Sequence, residues 1–236
     1  MIQVFGIGSV ILLGIVLGPL LVPDMVWPSF ARDFLTINGL PNTGASNMVS
    51  AIYLGFRAYD TVGETIVLLA AVSSALHIIK DASDGPGEVL SATKTRINRT
   101  NIINLTTGKL APVVLLFGWY VMFFGHQSPG GGFQGGVVLA SGLLFISLGR
   151  ETHQADSMLS RGVLKTIEAL SFIGLLVLVS FPLCFGATFL ENPFDRSAVN
   201  IPKIVYIIGF NAVIGLKVGS GLALLGLLMM DMKHGD

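Results

Sequence analysis

Apolar runs of membrane-spanning length recur along the chain, at about residues 2–22, 59–79, 109–125, 133–149, 166–187 and 201–229, with polar or glycine- and proline-rich breaks between them. A helix needs roughly 17–25 mostly apolar residues to cross a hydrocarbon core about 30 Å thick. The pattern predicts an all-α membrane protein with six transmembrane helices. The first run has no basic leader, is too long for the apolar core of a signal peptide and precedes no small-x-small cleavage site, so it reads as a helix ended by Pro19, Pro23 and Pro28. The longest polar stretch, 81–107, divides the chain into a two-helix unit over 1–85, a cytoplasmic linker over 86–107 and a four-helix unit over 108–236.

Composition supports the membrane class and excludes others. The chain is 52% hydrophobic and 12% charged, against about 25% charged in a soluble domain, and its mean hydropathy is +0.76. Fourteen basic and fourteen acidic residues cancel, so there is no basic face of the kind nucleic acid demands. One cysteine, Cys184, leaves no disulfide, zinc, iron–sulfur or c-type haem pattern, and it reads as a small packing residue.

Charge asymmetry orients the bundle. Lys80, Lys94, Arg96, Arg99 and Lys109 lie between the second and third runs, and Arg150, Arg161 and Lys165 between the fourth and fifth. The turn 126–132 has no Lys or Arg, and 188–200 has only Arg196. By the positive-inside bias both termini are cytoplasmic and the glycine-rich turn lies on the outer face.

Candidate chemistry sits where polar residues interrupt apolar runs. Arg57, Asp60 and Glu64 share one helical face. The bland reading is an interfacial helix start with carboxylates near the positive end of the dipole. The functional reading has Glu64, deeper in the run, transferring a proton or cation. Lys217 lies near the middle of the last run and needs a partner or water at that depth, and Glu168 is the candidate counter-ion. The pair reads either as part of a hydrophilic path or as a buried lock on helix register. Gly14-x-x-x-Gly18 and Gly215-x-x-x-Gly219 have the spacing for close helix packing. The run Gly125-His126-Gln127-Ser128-Pro129-Gly130-Gly131-Gly132-Phe133-Gln134-Gly135-Gly136 lacks the Gly-Lys-Ser/Thr ending of a phosphate loop. Its glycines suit unusual backbone angles and close approach to other protein, while His126 and Gln134 cap helix ends or touch a water-filled entrance. No catalytic triad, metal cluster or dinucleotide fingerprint is present.

Residues 98–233, with this glycine turn, Ile167-Glu168-Ala169 and Asn211-Ala-Val-Ile-Gly-Leu-Lys217-Val-Gly, resemble the B subunit of Mrp-type (Mnh) cation/proton antiporters. Asn47-Met-Val-Ser through Phe56-Arg57-Ala58-Tyr59-Asp60-Thr61-Val62-Gly63-Glu64 resembles the C-terminal end of the Mrp A subunit, which is a small separate E-type subunit in membrane-bound hydrogenases and related complexes. The resemblance implies a non-catalytic subunit of a multi-subunit prokaryotic cell-membrane complex coupling Na+ and H+ movement. It would have no cofactor or metal of its own and would pair with large antiporter-like and small helical subunits. Glu64 matches the acidic residue of the Tyr-Asp-Thr-x-Gly-Glu motif. Union of the two pieces leans towards the ion-pumping module of a hydrogenase-like or sulfur-reducing complex; a stand-alone antiporter subunit and a pure scaffold are the alternatives. A self-sufficient transporter fits less well, because a two-plus-four division is not an inverted repeat, and no paired histidines support a quinone-binding subunit.

Overall fold

The computed structural model describes residues 2–18, 29–83, 101–149, 160–195 and 201–232. All regular elements among them are helical. They are α1 (Ile2–Leu17), α2 (Phe30–Thr43), α3 (Met48–Ala51) running into a π turn (Ile52–Phe56), α4 (Ala58–Ser83), α5 (Asn101–Phe123), α6 (Gly132–Gly149), α7 (Arg161–Ser180) continuing as a 3-10 turn (Phe181–Phe185), and α8 (Ile204–Met232). Compactness separates Met1–Thr36 from Ile37–Asp236, the boundary falling inside α2.

In the smaller unit, the described side chains of α1, among them Ile7, Ile11, Leu12, Ile15 and Val16, are exposed. A helix with apolar residues all round seeks lipid or other protein. Phe30 and Phe34 stack one turn apart on α2, their centroids 6.4 Å apart.

The larger unit is organised on α8, the most deeply buried of the long helices. Tyr206, Ile207, Phe210, Ile214 and Val218 pack with Leu175 and Val179 of α7, with Ala51 and Leu54 ahead of α4 and with Ala58 at its start. Ala223 and Leu224 continue the core with Ala140 of α6 and Leu164 of α7. Helix α5 pairs with α6, which in turn lies on α8.

The α6–α8 crossing brings backbone against backbone. A Cβ on Gly132 would lie 2.7 Å from the Asn211 carbonyl oxygen, and one on Gly136 2.7 Å from that of Gly215. A Cβ on Gly219 would lie 3.2 Å from the Gly136 carbonyl oxygen. The spacing expected for Gly215 and Gly219 is therefore used inside the chain, whereas Gly14 and Gly18 meet nothing within 4 Å.

Five helices are long and apolar enough to cross a membrane among the described residues: Ala58–Ile79, Leu105–Phe123, Gly132–Gly149, Arg161–Phe185 and Ile204–Met230. The expected count of six rests in addition on the first run, 2–22, which is described only as far as residue 18. The first expected crossing is represented by α1, with 16 residues, and residues 19–28 with its three prolines lie outside the described residues. So do 84–100, which hold most of the expected linker and Lys94, Arg96 and Arg99, together with Arg150 and Arg196. Helix α5 begins at Asn101, within the stretch assigned to the linker. The segment 23–58 contributes helices α2 and α3 and the π turn, which the hydropathy pattern did not single out.

Cys184 corrects one expectation, being exposed rather than packed. Pro182 has no N–H to continue the α-helical ladder, and the Leu178 carbonyl it would have served accepts instead from the Tyr206 hydroxyl at 3.0 Å. The chain tightens into the 3-10 turn, closed by Gly186 at φ 69°, and the thiol turns outward.

Gly136→Ala tests the crossing. Overpacking against backbone costs about 1–3 kcal/mol, so the melting midpoint of the detergent-solubilised protein is expected to fall by several degrees. Gly63→Ala, at a glycine with nothing within 4 Å, is expected to leave the midpoint unchanged or raise it.

Candidate functional site

Two polar centres stand inside the larger unit. The first is the ion pair within the helices. Lys217 Nζ on α8 donates to Glu168 Oε1 on α7 at 3.3 Å. The lysine side chain is 1% exposed and the glutamate side chain 11%, so the pair is closed on the lysine side and opens slightly on the carboxylate side. Gly221, one turn beyond Lys217, makes room for it: a Cβ there would sit 3.1 Å from Glu168 Oε1 and 3.6 Å from Val72 of α4. The carboxylate thus occupies a notch in α8 next to α4. Ser220 Oγ, alongside, donates to the Leu216 carbonyl at 2.7 Å.

Placing a lysine this deep costs about 2.5–3.5 kcal/mol on insertion scales, and the carboxylate offsets that cost only while it stays in place. Removing one member of such a pair typically costs about 3–5 kcal/mol, whereas replacing both with apolar residues is often neutral.

The second centre is the glycine turn between α5 and α6. Asn47 Nδ2 donates to the carbonyls of Gly125 (2.7 Å) and Ser128 (2.9 Å). Ser50 Oγ donates to Gly125 at 2.6 Å, and the Asn47 N–H donates to the His126 carbonyl at 2.9 Å. Asn47 Oδ1 meanwhile caps α3 at the Val49 N–H. Gly130 and Gly131, at φ 155° and 148°, adopt angles that L side chains avoid. A Cβ on Gly131 would fall 2.0 Å from the Tyr53 hydroxyl. That hydroxyl donates to Asn211 Oδ1 at 2.9 Å, which also accepts the Gly132 N–H at 2.8 Å. Asn211 is fully buried. The protein expected against this turn is the chain's own segment 46–53.

His126 is buried and its Nδ1 lies 2.8 Å from the Phe123 carbonyl. A carbonyl only accepts, so Nδ1 carries the proton and the ring caps the end of α5. Pro129 and Gln134 are exposed, Phe133 packs against the core, and Gly135 presses on the Met122 backbone.

Asp60 and Glu64 go elsewhere. Thr61, Thr65 and Val72 form the buried face of α4; Glu64 lies on its flank, about 60° round from Thr61, and is exposed. Eight residues, about 12 Å of helix, separate Glu64 from Val72 beside the ion pair, so the structure does not bring Glu64 to Lys217. Asp60 pairs with Arg57, although Arg57 sits in the break ahead of α4 at φ −124°. No group of three His, Cys, Asp or Glu able to hold a metal occurs among the described residues.

Sequence reasoning left Asn47, Ser50, Tyr53 and Asn211 without roles. The usable signal was Asn211, an amide in an otherwise apolar span; the other three are ordinary polar residues of a connecting segment.

Comparison with known proteins agrees with this architecture. Residues 102–224 match a family model described as a domain related to the MnhB subunit of Na+/H+ antiporters. An uncharacterized protein of Methanocaldococcus jannaschii is 27% identical over 205 residues, 79% of this chain and 78% of that one. The B subunit of the Na+/H+ antiporter of Bacillus subtilis is 30% identical over 93 residues, 39% of this chain and 64% of its own length. Among solved structures, a chain of the membrane-bound sulfane sulfur reductase, an archaeal respiratory membrane complex, superposes with TM-score 0.71 at 23% identity. The match covers 97% of this chain and 98% of that one. A chain of the Mrp complex from Dietzia superposes with TM-score 0.64 at 18% identity, over 95% of this chain and 26% of that one. These likenesses establish a shared fold, and with more than half its length matched by the family model, the chain belongs to the family of domains related to the MnhB subunit of Na+/H+ antiporters.

Proposed function

We propose that this chain is a non-catalytic membrane subunit of an Mrp-type multi-subunit complex coupling Na+ and H+ translocation, working in the ion-pumping module of a redox-driven, sulfur-reducing or hydrogenase-like respiratory complex. The observation that carries this reading is the buried Lys217–Glu168 pair, a protonatable carboxylate held beside a fixed cation within the spans. End-to-end likeness to one chain of the sulfane sulfur reductase complex favours the respiratory setting; the matched chain of the Mrp complex is covered over only 26% of its length.

In this reading α1 supplies a sixth crossing, the chain acts as a two-helix unit followed by a four-helix unit, and both termini are cytoplasmic. Redox groups and metals reside in other polypeptides. Glu64, exposed on the α4 flank, faces a neighbouring subunit or a wet path rather than acyl chains, because a charge inside a span is costly in lipid. His126 serves the turn as a cap, and ion transfer falls to Glu168, Lys217 and Glu64.

The ion pair is tested by single and double replacement in the assembled complex. Glu168→Gln leaves Lys217 buried without its counter-charge and is expected to deplete the assembled complex, by about 3–5 kcal/mol of lost stability. The double variant Glu168→Gln with Lys217→Met is expected to restore assembly, read on native gels, yet lower sodium-dependent proton flux in vesicles at least tenfold. Restored assembly with unchanged flux would reduce the pair to a register lock and the chain to scaffold.

Glu64→Gln gives the second test. Assembly is expected to be unaffected, since no described side chain pairs with Glu64, while sodium-dependent proton flux falls several-fold; full flux would remove Glu64 from the path.

A further inference from the structure

The amide of Asn211 is satisfied on one side only. Its Oδ1 accepts two hydrogen bonds, from the Gly132 N–H and the Tyr53 hydroxyl, and this fixes the orientation of the group. Turning the amide over would set Nδ2 against the Gly132 N–H, donor facing donor. Nδ2 is therefore held in place, it is fully buried, and it meets no acceptor among the described residues. In a membrane protein such a donor has no bulk water to turn to. Buried polar groups without a protein partner are characteristically met by internal water, which makes two to four hydrogen bonds of its own.

We propose that Asn211 Nδ2 binds a water molecule at the N-terminal end of α6, inside the joint between the π turn and the glycine turn. The surroundings select water over an ion. A cation is repelled by an N–H donor next to the positive end of a helix dipole. An anion would bring a full charge into a site that offers a single unsatisfied side-chain donor. Gln134, on the first turn of α6, supplies the second hydrogen-bond partner in this proposal. A Cβ on Gly131 would meet the Tyr53 hydroxyl at 2.0 Å and Gln134 Oε1 at 3.1 Å, so both groups lie against Gly131, and the Tyr53 hydroxyl is itself bonded to Asn211. The water accepts from Nδ2 and donates to Gln134 Oε1. Gln134 is exposed, so the site links the buried amide to the surface at the glycine turn. This gives Gln134 a role at a hydrated inlet, on a different face of α8 from the one that carries Lys217.

A map of the intact membrane complex at a resolution that shows ordered water tests this directly. Density is expected at hydrogen-bonding distance, about 2.7–3.2 Å from Nδ2. Apolar side chains closing over Nδ2 with no density there, or an oxygen of another polypeptide bonded to it, would overturn the proposal. The variant Gln134→Leu, at an exposed position that leaves the joint's other bonds in place, is expected to assemble normally and to lose or weaken the density. Undiminished density in that variant would overturn the role given to Gln134. Because the first measurement needs no variant, a folding defect cannot mask the answer.

Discussion

The near-contact of the α6 and α8 backbones is what the rest of the larger unit depends on. Lipid tails are as apolar as the helices they surround, so helices in a membrane gain little from hiding leucines from one another. Close packing and interhelical hydrogen bonds hold them together instead. Gly132 and Gly136 on α6 and Gly215 and Gly219 on α8 remove the side chains that would hold the helices apart. Once they are that close, the Gly132 N–H reaches Asn211, and the first turn of α6 finds a partner for one of the donors that a helix start leaves open. The same approach fixes the rotation of α8, and with it which face carries Lys217 towards α7.

The glycine turn joins two parts of the chain far apart in sequence. Asn47 and Ser50 reach the Gly125, His126 and Ser128 carbonyls. Each bond contributes about 0.5–1.5 kcal/mol net, and each turn carbonyl left without one would be an exposed acceptor at a helix end. The π turn is the local device that aims this segment. By inserting a wider turn between α3 and α4, it directs Tyr53 at Asn211 while Thr61 of α4 bonds back to the Tyr53 carbonyl. Such π segments recur where a side chain has to be re-aimed for function or contact. Segment 46–61 and the helices of the family-matched region are thus bound together through backbone carbonyls, a mode that tolerates change in side chains as long as the small residues and the capping asparagine persist.

The ion pair is built on the same economy of small residues. Gly221 provides the recess in which Glu168 sits, and Val72 of α4 closes it. A carboxylate and an ammonium so placed cannot be separated from the packing around them: the helices hold the charges together, and the charges penalise any sliding of α7 along α8. Glu64 belongs to a different environment. Its flank of α4 is exposed.

Much was legible in the sequence because lipid imposes few solutions. Long apolar runs had to be helices, and all five of the long spans appear close to their expected limits. A lysine at the middle of the last run required a counter-charge, which singled out Glu168, and the glycine turn announced a close backbone contact. The sequence did not disclose what that contact was with. A hydrogen bond from Asn47 to Gly125 spans 78 residues, and no periodicity within either segment encodes the meeting. Nor did it place Glu64, since a helical pattern gives the angle between residues on one helix but not which neighbours cover each face. Hydropathy thus determined that the chain spans a membrane and where its charges are costly. Only the tertiary structure decided which of those charges is paired inside the chain and which stays exposed on a helix flank, because pairing depends on helix rotation and separation, and those are set by contacts between residues remote in sequence.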